Sequence, residues 1–270
     1  MSTPPVLLLG LGFIVGTFGT LIGAGGGFIL VPVLLLLYPD MPPDLLTSIS
    51  LAVVFLNAGS GSIAYARLKR IDYKSAIIFG AATLPGAVIG ALVTSAIPRR
   101  VFDLILGVLL IVIALFLFIK PNEGAYASSK LNKGTTHRTL KDSNGEQYEY
   151  SFNIWLGIIL SFFVGFLSSL LGIGGGIIHV PALASLLNFP IHIATATSHF
   201  ILAIMALTGT IVHLATGTLQ GGLKTAGLIG LGVVVGAQLG AYLSHKVKPT
   251  GIIRALAVAL LLVGIRLLIK

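Results

Sequence analysis

Long apolar runs, broken by short polar intervals, dominate this chain. Residues 75–97, 101–119, 154–171, 193–215, 225–244 and 251–269 are nearly unbroken apolar stretches. Each is close to the ~20 residues a helix needs to cross a bilayer. The apolar positions are continuous and do not alternate, which predicts helices rather than barrel strands. The pattern predicts an all-α polytopic membrane protein. The opening run, residues 5–38, is too long for one crossing and too short for two comfortable ones. Its start, "MSTPPVLLLGLGF", has no Lys or Arg before the apolar run. It therefore reads as the first membrane segment and not as a secretory signal.

One long interval, residues 121–152, is polar and rich in Ser, Asn, Gly and Lys. It predicts a water-exposed linker, a connector without chemistry of its own, with a short strand at Glu146 to Phe152. The expected domains are a transmembrane repeat at 1–120, the hydrophilic linker at 121–152 and a second transmembrane repeat at 153–270.

The two flanks carry the same pattern. "LIGAGGGFILVP" from Leu21 matches "LLGIGGGIIHVP" from Leu170, an offset of 149 that pairs Gly23 with Gly172 and Pro32 with Pro181. "GSIAY" at 61–65 matches "GTIVH" at 209–213, an offset of 148. "GAVIGA" at 86–91 matches "GAQLGA" at 236–241, an offset of 150. If the glycine run divides the opening segment into two helices, each repeat has five membrane segments and the halves are inverted. If it only bends one crossing, each has four and the halves are parallel. Loop charges favour inversion. It puts "ARLKRIDYK", the linker and "SHKVKP" on the cytoplasmic side and leaves "YPDMPPD" and "TGTLQGG" outside, without a basic residue. Arg99 and Arg100 fall outside in either arrangement.

Composition agrees. Of 270 residues, 56% are hydrophobic and 9% charged, where a soluble domain has about a quarter charged. The formal charge of +9 is accounted for by basic cytoplasmic loops, without nucleic acid. With no cysteine, disulfides, thiolate metal sites and thiol catalysis are excluded.

Adjacent glycines make a poor helix, at about 1 kcal/mol each against alanine. Irregular backbone in a membrane is tolerated only where it is buried in protein or lines a cavity. Each glycine run therefore predicts an elbow, after which the next half-helix presents free N–H groups and the positive end of its dipole. That is an anion site without a fixed charge. Pro32 and Pro181 fit near the starts of those half-helices. No Gly-Lys-Ser/Thr follows either run, so a nucleotide phosphate loop is excluded. The spaced pairs Gly86/Gly90 and Gly236/Gly240 read instead as close helix packing.

Hydroxyls recur at matched places: Thr47, Ser48 and Ser50 in one half, Thr195, Thr197 and Ser198 in the other. Asn57 shares a helical side with Ser50 and Gly61. His179, His199 and His213 fall within apolar runs, where ionisable groups are functional candidates. His199, directly after Ser198, is the best placed to contact substrate or a proton. The candidate substrate-binding set is Gly23, Gly25, Gly26, Gly27, Thr47, Ser48, Ser50, Asn57, Gly172, Gly174, Gly175, Gly176, Thr197, Ser198 and His199. No catalytic residue, metal or cofactor is expected.

The paired "GTLIGAGGGFILVPVL" and "SSLLGIGGGIIHVPAL", with "HIATATS" from His192, resemble the TauE/SafE family of sulfite exporters and sulfonate permeases. The resemblance covers both halves and leaves out the linker. It implies a multi-pass carrier in a prokaryotic cytoplasmic membrane for small sulfur-containing anions such as sulfite, sulfonates or sulfoacetate. The motif glycines correspond to Gly23 and Gly25–Gly27 and to Gly172 and Gly174–Gly176. The Thr-Ser element corresponds to Thr197 and Ser198, with Thr47, Ser48 and Ser50 a looser counterpart. A secondary transporter working by alternating access is the expected function, with proton coupling and a homodimer compatible with it. A passive anion channel is the alternative. An intramembrane enzyme built on His199 and Ser198 lacks a partner acid.

Overall fold

In lipid, every backbone N–H and C=O must be bonded within its own segment, so span-length apolar runs become helices. The computed structural model describes residues 4–119, 136–244 and 250–269. Among them are ten α-helices: α1 (Pro5–Ile22), α2 (Gly27–Leu37), α3 (Pro43–Arg67), α4 (Tyr73–Thr94), α5 (Arg99–Ile119), α6 (Ile154–Leu171), α7 (Gly176–Leu186), α8 (Ile191–Ala215), α9 (Leu223–Leu243) and α10 (Thr250–Ile269). A 3-10 turn, Thr218–Gly222, leads into α9. Strands β1 (Thr136–Lys141) and β2 (Gln147–Phe152) form one antiparallel hairpin. Six helical segments are long and apolar enough to cross a membrane: α1, α3, α4, α6, α8 and Thr218–Leu243. The ambiguous opening run is two helices of 18 and 11 residues.

Local signals set the helix starts. Pro43 opens α3, where a missing N–H costs little. The Asp72 carboxylate caps α4 by accepting from the Ser75 N–H at 3.2 Å, and Asn153 caps α6 by accepting from the Trp155 N–H at 3.0 Å.

The helices pack in a crossed arrangement. α1 runs parallel to α9, with Gly12 against Ile229, Gly16 against Val233 and Gly236 against Phe13. α4 runs parallel to α6, with Gly86 against Phe162 and Gly90 against Phe166. The spaced glycine pairs are therefore sites of backbone-to-backbone packing. α3 and α8 are antiparallel, since Gly61 lies against His199 and Gly209 against Leu51. α5 and α10 are antiparallel as well, with Gly107 against Gly264 and the Arg100 side chain donating to the Leu268 carbonyl. Large apolar side chains such as Ile77, Leu231 and Val235 face outward, while Thr20, Ser50 and Asn57 are fully buried. That is the polarity a lipid solvent selects.

The linker is more than a connector. Its residues 121–135, like Lys120 before them and the basic loop at 245–249, lie outside the described residues. Residues 136–152 fold as the β1–β2 hairpin, and the expected strand is β2. The hairpin docks on the end of the helix bundle where α3 passes to α4 and α7 to α8. The rings of Tyr150 and Phe152 pack tilted against Phe189, with centroids 4.5 and 4.9 Å from it. Arg70 pairs with Asp142 at 3.2 Å, and the Tyr150 hydroxyl donates to Asp72 at 2.8 Å. Two aromatics on β2, Tyr150 and Phe152, supply the apolar face that a purely solvated linker would lack.

Candidate functional site

The two glycine runs are elbows, built in nearly the same way. α1 ends where Gly23 turns left-handed, at φ 77°. The N–H groups of Ala24 and Gly25 then bond back to the Gly19 carbonyl at 2.8 and 3.1 Å. Gly26, also left-handed at φ 80°, precedes α2 and lies against Val15 and Gly19. In the second elbow Gly172 and Gly174 are left-handed, but Gly175 is right-handed at φ −53° and lies against Val164 and Ser168.

Each elbow delivers a helix start with unused donors. The N–H groups of Ile29 and Leu30 reach the Gly26 carbonyl, both at 3.0 Å, while those of Gly27 and Phe28 meet no acceptor among the described residues. At α7, Ile178 and His179 bond to Gly175, and the N–H groups of Gly176 and Ile177 meet none among the described residues. The prolines lie farther along than expected. Pro32 and Pro181 are each the sixth residue of the short helix. Each therefore removes a helical bond and frees the carbonyl four residues before it.

The elbows meet each other directly. Gly27 packs against the carbonyls of Gly172 and Ile173, and Gly176 against Gly23 and Ala24. Gly23, Gly27, Gly172 and Gly176 thus come together, while Gly25 packs on Leu202 and Val54, Gly26 on Val15 and Gly175 on Val164. Gly23 also lies against Thr195 of α8, and Gly172 against Thr47 of α3. Ser50 Oγ donates to the Gly172 carbonyl at 2.5 Å. Ser198, which holds the matching position in α8, has a buried Oγ without a partner.

The remaining hydroxyls separate. Thr47 and Ser48 donate to carbonyls of their own helix, at 3.0 and 2.7 Å, an ordinary arrangement in membrane helices. Thr197 Oγ1 accepts from the Asp72 N–H at 3.1 Å. It faces the α3–α4 loop beneath the hairpin and not the elbows.

Asn57 and His199 come together beside the first elbow, joined by two residues absent from the candidate set. Thr20 Oγ1 donates to Asn57 Oδ1 at 2.9 Å and lies 3.3 Å from His199 Nε2. The Tyr65 hydroxyl donates to the Thr20 carbonyl at 2.7 Å, and its ring meets His199 edge-on at 5.7 Å. Among the described residues, Asn57 Nδ2, His199 Nδ1 and Ser198 Oγ are buried without hydrogen-bond partners, and Asn57 Nδ2 lies beside Gly19 and Gly26. Each such orphan costs about 1–3 kcal/mol. The second elbow's flank differs. Gly209 there faces Leu51 and Ser169, where Gly61 faces His199 and Thr20. Met205 stands at the position matching Asn57. His179 lies apart, 3.1 Å from Ser161, and His213 is near the C-terminal end of α8. Thr20 could have been found from its place three residues before Gly23; Tyr65 carries no such signal.

Among the described residues no group of three or more His, Asp or Glu side chains could hold a metal ion. What the arrangement offers is a buried set of neutral donors beside a helix start, suited to a small anion.

Comparison with known proteins follows the same line. Residues 8–267 match the family described as "Sulfite exporter TauE/SafE". The chain is 37% identical over 269 residues to the probable membrane transporter protein YunE of Bacillus subtilis, covering 97% of each chain. It is 29% identical over 256 residues to the probable membrane transporter protein MJ0441 of Methanocaldococcus jannaschii, covering 90% of this chain and 87% of that one. No solved structure matches it. With its apolar helices and this match over nearly its whole length, the chain is a multi-pass membrane protein that belongs to the TauE/SafE family of transporters.

Proposed function

We propose that the protein is a secondary carrier for small sulfur-containing anions, of the sulfite or sulfonate type, in a prokaryotic cytoplasmic membrane. The carrying observation is the set of unused donors at the first elbow: the N–H groups of Gly27 and Phe28, and the Asn57 amide beside the neighbouring Gly26. An oxyanion of sulfur needs several donors at once, and neutral ones hold it without preventing its release. The family's description as sulfite exporters suggests the substrate class. In this reading the two halves are inverted repeats, since α3 crosses α8 and α5 crosses α10 in opposite directions. Rocking of one half against the other about the elbows alternates access to the anion.

Backbone contact between the elbows favours a carrier over a passive channel, because a standing pore requires them to part. Chemistry at His199 is disfavoured because, among the described residues, Ser198 makes no hydrogen bond to it and Thr20 and Tyr65, not a carboxylate, meet the ring. The test is counterflow in proteoliposomes preloaded in turn with sulfite, a short sulfonate, a carboxylate and sulfate, against labelled sulfite outside. Saturable exchange with sulfite or the sulfonate alone supports the reading. Exchange with none, in folded protein, removes the sulfur assignment, and flux without counterflow favours the channel.

A further inference from the structure

Beside the first elbow the hydrogen bonds run in one direction. Thr20 has a single hydroxyl proton, and it goes to Asn57 Oδ1. The contact between Thr20 Oγ1 and His199 Nε2 therefore takes its proton from the ring, with Nε2–H donating to Thr20. Asn57 then turns both amide hydrogens away from Thr20, on the side of Gly19 and Gly26. The neutral ring keeps a bare lone pair at Nδ1, which has no partner. Asn57 and His199 are both 0% exposed.

This constellation presents several donors and one acceptor. A fully ionised oxyanion uses the donors but sets negative charge against the Nδ1 lone pair. An oxyanion that retains one hydrogen satisfies both, its O–H donating to Nδ1 and its other oxygens accepting from Asn57, Gly27 and Phe28. We infer that the first elbow takes its sulfur(IV) anion together with a proton, as hydrogensulfite or equivalently as sulfite with the proton on His199 Nδ1. This rests on the transport reading given above. The desolvation cost of an ion rises with the square of its charge, so a monoanion crosses this uncharged interior far more cheaply than a dianion.

The side chains around the ring bear on where that proton sits. From α1 the ring meets the hydroxyl of Thr20, which does not titrate in water; among the described residues, Tyr65 of α3 is the titratable side chain in ring contact with it. Asp72 approaches α8 through its backbone N–H at Thr197, and its carboxylate is held by Ser75 and Tyr150. Nor does the fold demand the polar pair. At the matching positions Leu51 and Met205 stand where His199 and Asn57 do, and Gly209 packs on Leu51 as Gly61 packs on His199.

The test is proteoliposomes with an entrapped pH-sensitive dye, the potential clamped with potassium and valinomycin, and sulfite added outside. Protein-free vesicles set the baseline for passive entry. Protein-dependent acidification of the lumen is expected, because hydrogensulfite sheds its proton after crossing. Alkalinisation overturns the inference, since an entering dianion takes up a proton. Labelled-sulfite counterflow in the same vesicles separates the two readings. No exchange by the wild type removes the transport reading and this inference with it; exchange with the wrong sign of pH change removes this inference alone. His199→Leu and Asn57→Met, each carrying the residue of the matching position, are expected to lower exchange by about tenfold or more. Wild-type exchange and acidification in both variants also overturn it. Should either variant fail to assemble, the wild-type dye signal still decides.

Discussion

Gly26 of the first elbow is left-handed at φ 80°, whereas Gly175, its counterpart in the second, is right-handed at φ −53°. A Cβ at Gly26 would lie 2.6 Å from Val15 Cγ1 and 2.9 Å from the Val15 carbonyl, which is backbone and cannot yield cheaply. A Cβ at Gly175 would meet Val164 Cγ1 at 2.5 Å and Ser168 Oγ at 3.0 Å, both side-chain atoms and neither of them backbone. Matched in sequence, the two positions differ in the conformation they impose.

Gly26→Ala is therefore expected to destabilise the protein more than Gly175→Ala, by about the 1–2 kcal/mol that a left-handed conformation costs an L-residue. Thermal unfolding of both variants in the same detergent reads the difference. Equal losses would mean that crowding, and not φ, governs the elbows.

Thr20 carries two contacts and its counterpart Ser169 none. Thr20→Val keeps the shape but leaves Asn57 Oδ1 and His199 Nε2 without partners, at about 1–3 kcal/mol for each. Ser169 Oγ is already unpartnered, so Ser169→Ala should stay within about 0.5 kcal/mol of wild type or exceed it. Thr20→Ser retains the hydroxyl and should restore most of the loss. Melting temperatures and sulfite exchange of the three variants test this, and a Thr20→Val protein as stable as the wild type would contradict the hydrogen-bond chain.

Much of this arrangement was legible in the sequence, and for physical reasons. Apolar length announces membrane helices, and glycine runs in lipid must be buried, so the elbows could be placed to within a residue or two. The matched hydroxyls were harder. Thr47, Ser48 and Thr197 have the right composition, but a hydroxyl's direction depends on helix phase and on neighbours distant in the chain. Thr197 turned out to face Asp72, 125 residues away. Thr20 and Tyr65 were invisible because their roles exist only once α1, α3 and α8 meet. The hairpin was half visible. Alternating Gln147–Phe152 reads as a strand, but its docking partner Phe189 lies far along the chain in the α7–α8 loop.

Acid should release that hairpin. Burial alone would raise the Asp142 carboxyl, but the Asn144 N–H, the Arg70 guanidinium and the Glu146 N–H together hold it below its usual range. A carboxyl depressed in the folded state contributes stability above its unfolded value and loses it as pH falls through the folded one. Protection of the hairpin amides from hydrogen exchange, after correction for the intrinsic rate, should thus persist from pH ~7 down to the ordinary carboxylate range near ~4 and fall below it. Asp142→Asn should lower protection at neutral pH and flatten this dependence. A wild-type hairpin equally protected at the acid end would leave the Arg70 pair without energetic weight.

The direction of α10 gives the proposed topology its test. α5 leads into the linker, and α10 runs antiparallel to it, so that Leu268 lies at the level of Arg100, near the start of α5. In the inverted-repeat reading proposed above, the end of α10 is therefore remote from the linker and on the far side of the membrane. Reporters inserted in the linker and fused after Lys270 should consequently report opposite compartments, with the linker and the basic loop at 66–74 expected together on the cytoplasmic side. An alkaline phosphatase and a fluorescent protein, each active on only one side, make the readout reciprocal at both sites. The same compartment for both would require parallel halves, and the inverted arrangement with its alternating access would have to be given up.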